Sequence, residues 1–312
     1  MSDLVVTRFA PSPSGHLHLG HAYAAQVAHN AARHAGGRFL LRIEDIDGFR
    51  RRAVFEEAIE EDLRWLGLDW DGPVLRQSER GDAYAAALDQ LWALGLLYPC
   101  FCSRADIRAE VADSVHALHG PLGPLYPGLC HGLSLDEGQA RMAAGEPHAL
   151  RLAMDRAMEV AATKDRAGGP GGPLTWHDSD AGTIEARPGD LGDVVLARKE
   201  LATSYHLAVT VDDAFQGVTL VTRADDLFPA THVHRLLQVL LDLPVPDYYH
   251  HRRITGADGQ PLATRDGAAA LVALRDAGWT PDDVRKALSQ SRDAGSVEVL
   301  GESRQPGTTR NS

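Results

Sequence analysis

The chain has 312 residues, 44% of them apolar, and a formal charge of −12. That length accommodates one large domain or two moderate ones around a real core. The acidic balance excludes a broad, non-specific nucleic-acid coat, which needs a basic face.

RNA held through a local patch stays open. Arg50-Arg51-Arg52 and His250-His251-Arg252-Arg253 are the candidates, beside their reading as solvated surface. The start, MSDLVVTRFAPSPSG, has neither the basic nor the apolar region of a secretory signal. No run approaches the roughly 20 apolar residues a membrane helix needs. LLQVLLDLPV is short and interrupted by Gln238 and Asp242. A cytoplasmic protein with no membrane partner is expected.

Val5 to Phe9 is a β-like run ending in the loop APSPSG. An Ala-rich helix follows from about His18 to Ala35, Gly36-Gly37 stops it, and Arg38 to Ile43 reads as a second strand. Strand, loop, helix, strand is the opening of a parallel α/β sheet. Phe55 to Leu66 and Ala83 to Leu94 carry apolar residues at helical spacing. After Tyr98 the composition turns to Gly, Pro, His and polar residues up to about Arg187, with RAGGPGGP (166 to 173) as a loop or linker. A β-rich pattern returns in Asp193 to Ala197, Tyr205 to Asp212 and Gly217 to Arg223. Helices are expected over His232 to Leu241 and Arg275 to Ser289, then a disordered tail. One α/β domain interrupted by an inserted lobe accounts for this order.

Three cysteines, odd in number and confined between Cys100 and Cys130, do not make a disulfide framework. In a reducing compartment they point to a metal. Cys100 and Cys102 form C-x-C, and Cys130 adds a third thiolate. Structural zinc wants four ligands, and His131 is the generic candidate for the fourth.

The segment from Arg8 to His21, RFAPSPSGHLHLGH, puts His18 and His21 on one face of a first helical turn, with Gly20 between them. Helix N-termini offer free N–H groups that suit phosphate oxygens. Arg42 to Asp47 (RIEDID) ends the second strand, where open α/β sheets place ligand contacts. The first string resembles the HIGH signature of class I aminoacyl-tRNA synthetases in its glutamyl and glutaminyl form. The second resembles the RIEDTD motif of glutamyl-tRNA synthetases. GVTLVTRADDL, containing Arg223, is similar to that family's GVTHVIRGEDL.

The resemblance spans roughly Val5 to Gln290. It implies an α/β fold: a Rossmann-like parallel sheet interrupted by a zinc-bearing lobe, then a short helical C-terminal region. On that reading residues 1–98 are the first half of the catalytic domain, 99–190 the lobe and 191–250 the second half. Residues 251–300 hold a degenerate KMSKS-like loop and helices, and 301–312 the tail. It also implies ATP-dependent activation of L-glutamate, with Mg2+ accompanying ATP. Arg8, Phe9, Ala10, Pro11, Ser12, Glu44, Tyr205 and Arg223 would form the glutamate pocket, Arg8 matching a carboxylate and Glu44 the ammonium. His18, Gly20, His21, Thr264 and Arg265 would bind ATP. His18, His21 and Arg265 would act on its phosphates.

One departure concerns the KLSK-type signature. In GQPLATRDG (259 to 267) Pro261 and Thr264 stand where that signature has lysines, which leaves Arg265 as a replacement charge. The short C-terminal remainder and the Cys-x-Cys…Tyr-x-x-x-Cys set resemble a truncated subfamily that uses Cys100, Cys102, Tyr126 and Cys130 for one structural zinc. That subfamily esterifies glutamate to the queuosine base at the wobble position of tRNA(Asp), and a monomer is expected. The alternatives are a minimal glutamyl-tRNA synthetase charging the 3′ end of tRNA(Glu), and a non-catalytic glutamate- or nucleotide-binding paralogue.

Overall fold

The computed structural model describes residues 4–46, 53–113, 119–121, 123–164, 172–198, 202–254 and 269–294. Arg50 to Arg52, most of the 166–173 loop, Pro261, Thr264, Arg265 and the tail lie outside the described residues. None of the described helices is long and apolar enough to cross a membrane.

Strand β1 (Val6–Phe9), helix α1 (Leu19–His34) and strand β2 (Arg38–Ile43) open the chain. The strands are parallel, Val6 opposite Arg38 through Phe9 opposite Leu41. Both faces of β2 are covered, so Phe39 to Ile43 are buried in succession rather than alternately. The turn into β2 requires glycine. Gly36 has φ +64°, and a Cβ on Gly37 would sit 2.0 Å from the Val5 carbonyl oxygen. Helix α2 (Ala53–Leu66) buries Ile59, Leu63 and Leu66, and strand β3 (Leu75–Arg76) joins β2 in parallel.

Helix α3 (Gly81–Ala93) leads to β4 (Leu97–Cys100), α4 (Arg104–Asp113) and the hairpin β5 (His119–Gly120) and β6 (Gly123–Pro124). Then come α5 (Leu135–Ala143), β7 (Ala149–Leu152), α6 (Met154–Lys164), β8 (Thr175–Asp178), β9 (Gly182–Glu185) and β10 (Val195–Ala197). Strands β4, β7 and β10 form an antiparallel sheet with β7 central. The second half continues with α7 (Tyr205–Phe215), β11 (Leu220–Ala224), α8 (Phe228–Leu240) and β12 (Asp247–His251). Strands β11 and β12 are parallel, and β8 adds to β12 with β9 outside it. Part of the segment expected as lobe, 175–185, thus hydrogen-bonds into the main sheet.

The two halves meet where Thr219 N donates to Val6 O (3.0 Å) and Val6 N donates to Thr219 Oγ1 (2.9 Å). Strand order reverses between β1 and β11, and such a switch leaves a crevice at the strands' C-terminal ends.

Two expectations are corrected. Tyr205 to Asp212 is helix, not strand. Leu207 to Thr210, Asp212 and Asp213 are all buried, and the valines and threonine read as β. The helix expected over Arg275 to Ser289 is two, α9 (Leu271–Asp276) and α10 (Pro281–Ala294). Gly278, at φ +85°, ends the first. Thr280 starts the second, its hydroxyl accepting from Asp283 N while Asp283 accepts from Thr280 N.

One core lies among α1, β2, α2, α9 and α10, with Leu17, Leu41, Ile59, Leu63 and Leu271 at its centre. A second lies among α3, α6, α7 and α8, around Leu91, Ala157, Leu207, Leu236 and Leu240. Each core holds one side of the crevice.

Candidate active site

The loop after β1 is tied to β2 by a bond from Glu44 N to Pro11 O (2.9 Å), which sets RIED against APSPSG. At the start of α1, Gly20 N donates to His18 Nδ1 (3.1 Å) and His18 N donates to His21 Nδ1 (3.3 Å). The rings lie 3.8 Å apart. Burial lowers the pKa of His18. Burial, then the neighbouring His18, lowers His21 to about 3. Both imidazoles are therefore neutral near pH 7. With Nδ1 accepting, each carries its proton on Nε2. The helix thus starts with two uncharged N–H donors, fixed in tautomer, where the macrodipole favours an anion.

Ala270 bridges to His18 and Leu271 N donates to Leu17 O (2.7 Å). Ala270 and Leu271 are thereby pinned to the α1 N-terminus.

The other wall is a cluster of guanidinium groups. Arg8 donates through Nε (2.8 Å) and Nη2 (3.4 Å) to Asp213 on α7, and through Nη1 to Thr222 O (3.2 Å). Arg42, fully buried, meets the same carboxylate at 2.8 Å, Gln216 Oε1 at 2.9 Å and Glu44 at 3.6 Å. Burial alone would raise the Asp213 carboxyl, but Arg8 and Arg42 outweigh it and hold it below the usual range. Glu44 is pushed upward by burial, against the pull of Arg42 and Arg8. The adjacent Asp212 is occupied by Arg80, Gln77 and Tyr84.

Arg223, at the end of β11, is 6% exposed. Its Nε donates to His250 Nε2 (3.1 Å), Nη1 to Tyr205 Oη (3.4 Å) and His234 Nδ1 (3.2 Å), and Nη2 to Thr231 Oγ1. Burial raises the Tyr205 phenol, Arg223 pulls against that, and Glu44 and Arg8 also act on it; these groups share one site. Among the described residues no carboxylate forms an ion pair with Arg223. Three guanidinium groups, Arg8, Arg42 and Arg223, thus face two carboxylates, Asp213 and Glu44. The site carries one uncompensated positive charge, which a buried position makes costly until an anion arrives.

The structure therefore brings Arg8, Glu44, Tyr205 and Arg223 together, with Phe9 to Ser12 leading to His18, Gly20 and His21. Sequence reasoning missed Arg42, Asp213 and His234, and read His250 as part of a surface patch. Only Arg42 had a signal, its place inside RIEDID. His250 and His251 are buried, and Arg253 pairs with Asp225 and Asp226, so the His250–Arg253 run is not an open basic patch. A cavity of about 540 Å³ lined by Asp89, Glu146, His148 and Arg198 shares no residue with this cluster.

The three cysteines converge at the end of β4. Their sulfurs lie within 4.8 Å of one another, and Cys102 Sγ is 3.4 Å from Cys130 Sγ. A tetrahedral zinc with sulfur ligands needs edges of about 3.8 Å. Tyr126 Oη lies 3.4 Å from Cys100 Sγ and 3.6 Å from Cys102 Sγ, and accepts from Cys130 N (2.8 Å). Arg151 covers the Tyr126 ring at 3.7 Å. His131 instead stacks on Tyr98 and faces Asp193 at 3.6 Å. Four donors at this spacing fit zinc, with Tyr126 rather than His131 on the sulfurs.

A family model described as "tRNA synthetases class I (E and Q), catalytic domain" matches residues 4–291. A protein of Rhodobacter capsulatus named Glutamyl-Q tRNA(Asp) synthetase is 51% identical over 91% of this chain and 99% of its own length. One of the same name from Symbiobacterium thermophilum is 44% identical over 89% and 83%. The crystal structure of glutamate-tRNA synthetase from Elizabethkingia anophelis superposes with a TM-score of 0.69 at 29% identity. It covers 85% of this chain, which spans only 53% of that one.

Proposed function

The chain belongs to the class I tRNA synthetases of the glutamate and glutamine branch, and from that premise we propose that it activates L-glutamate with ATP and transfers it to the queuosine base at the wobble position of tRNA(Asp). The observation that carries the amino acid is the uncompensated positive charge at Arg223. L-Glutamate has a net charge of −1 and completes the balance; glutamine, being neutral, does not. The choice of acceptor rests on the relatives' names and their coverage.

In the first step a glutamate carboxylate oxygen attacks the α-phosphorus of ATP, pyrophosphate leaves, and glutamyl-adenylate forms. His18 and His21 present Nε2–H donors to the phosphates without adding charge, and the α1 N-terminus orients them. Arg8, Arg223 and Tyr205 hold the amino acid, and Glu44 receives its ammonium. Arg265, with Thr264, supplies the cation that the KLSK-type loop otherwise draws from lysine. In the second step a hydroxyl of the queuosine cyclopentene ring attacks the activated carbonyl and AMP leaves. Magnesium bound with the nucleotide would neutralise phosphate charge; no acidic cluster among the described residues is built to hold it. Cys100, Cys102, Tyr126 and Cys130 would hold one structural zinc. The protein acts as a cytoplasmic monomer.

The test is ATP–pyrophosphate exchange with glutamate, then mapping of the attached glutamate. Exchange without tRNA, and label on the anticodon of queuosine-bearing tRNA(Asp), is the expected result. Label on the 3′ end of tRNA(Glu) would identify a minimal charging enzyme. Glutamate binding without exchange would identify a non-catalytic paralogue, and Arg265→Ala should lose exchange if that residue replaces the lysine. Metal analysis should return about one zinc per chain.

A further inference from the structure

All partners of Arg223 described above are neutral, and the guanidinium dictates their tautomers. It can only donate, so His234 accepts at Nδ1 and carries its proton on Nε2. That proton points to His206 Nδ1, 3.1 Å away, so His206 accepts in turn. On the other side His250 accepts at Nε2 and donates from Nδ1 to Asp178 Oδ2 at 2.7 Å. Asp178 is completed by the backbone N–H groups of Asp180 and Ala181, each at 3.0 Å. The acid of this chain is therefore one histidine removed from Arg223 and forms no ion pair with it. His234 is 2% exposed and projects from α8, while His206 lies in the first turn of α7, so the two helices of the second core lock the acceptor in place.

We propose that His234, seated by His206, is a positioning and specificity-determining residue: it fixes the Arg223 fork while leaving its charge uncompensated, and so sets the preference for an amino acid with a side-chain carboxylate over its amide. The inference rests on the glutamate pocket proposed above. An acid at position 234 would fill the place of the missing counter-ion and make the pocket neutral. Burial drives His206, His234 and His250 well below the ordinary histidine range, which keeps all three uncharged near pH 7.

The experiment is isothermal titration of L-glutamate and L-glutamine into wild type, His234→Asp, His234→Leu and His234→Asn, with ATP KM measured alongside. His234→Asp should lower the glutamate-to-glutamine affinity ratio by about 100-fold or more, the scale of a charge mismatch in a buried site. His234→Leu removes the acceptor without changing charge. It should weaken glutamate about tenfold, the worth of one lost hydrogen bond to a charged group, while ATP KM stays within about twofold. His234→Asn can accept from Arg223 and donate to His206, and should recover most of what leucine loses. A folded His234→Asp with the wild-type ratio would overturn the proposal. So would wild-type glutamate affinity in His234→Leu, which decides the matter if the aspartate variant fails to fold. Wild-type protein that binds glutamate but shows no exchange would end the catalytic reading and leave this one intact.

Discussion

Asp213 serves two buried guanidinium groups at once, and few single atoms in the molecule carry more. Neutralising it in Asp213→Asn leaves Arg8 with the neutral Thr222 O, and Arg42 with the neutral Gln216 Oε1 and with Glu44 at 3.6 Å. An uncompensated buried charge costs about 3–5 kcal/mol, so the variant should lose stability on that scale in urea denaturation; a loss under about 1 kcal/mol would show that the cations find other partners. Arg223 asks a different question. Four of its five N–H donors meet four acceptors, a pattern the compact ammonium of lysine cannot reproduce. Arg223→Lys should keep the charge and still raise glutamate KM by about 100-fold, with ATP KM unchanged, because fork and charge are both needed. Equal losses for both substrates would move Arg223 from the amino-acid pocket to a structural role.

Between elements, the tie from α2 to α9 is unusual because its acid is poorly satisfied. Asp62 is 1% exposed, both its oxygens lack a hydrogen bond, and Arg275 approaches only to 3.6 Å. Burial lifts its pKa to about 6, against the pull of Arg275. A folded value above the unfolded one means that stability from this group is greatest at low pH and is lost as pH rises from about 4 through 6. Asp62→Asn should therefore stabilise the protein by about 1–2 kcal/mol at pH 8 and by nothing measurable at pH 4.5. Thermal melts at the two values decide it. The same comparison of elements explains what could be read in advance. α1 and β2 were legible because the glycine pair Gly36-Gly37 separates them, ending the helix and opening the strand. His18 and His21 were legible because one helical turn holds both. In α7 the reverse holds: Leu207 to Thr210 are buried in succession, and its β-branched valines and threonine read as strand. The partners of Arg8 and Arg223 were hidden for another reason. Asp213 lies 205 residues from Arg8, and Asp178 lies 72 from His250, so only the closing of the sheet brings them together, and each alone reads as an ordinary polar residue.

At the scale of the whole molecule, the histidines couple folding to acid. Seven of them, His18, His21, His206, His232, His234, His250 and His251, have pKa values lowered mainly by burial. The unfolded chain takes up protons at these sites near pH 6.5, whereas the folded chain takes them up at lower pH. Stability must therefore fall as pH drops from about 6.5 toward 4. His21, His206 and His250, with folded values near 3 to 4, each remove about 2 kcal/mol by pH 5. Together they approach the whole stability of an ordinary domain, about 5–15 kcal/mol. Asp62 and Glu44, whose shifts run upward, offset part of this. The expected result is a urea midpoint that drops steeply between pH 7 and pH 5, with net proton uptake on unfolding and cooperative loss of near-ultraviolet circular dichroism at about pH 5. The same protons would break the neutral donor pair at the α1 N-terminus and the neutral shell of Arg223, so glutamate-dependent activity should fall with the folded fraction rather than ahead of it. A urea midpoint unchanged from pH 7 to pH 5 would mean that these imidazoles are reachable by water in the folded state, and the fixed tautomers on which both walls of the site depend would go with it.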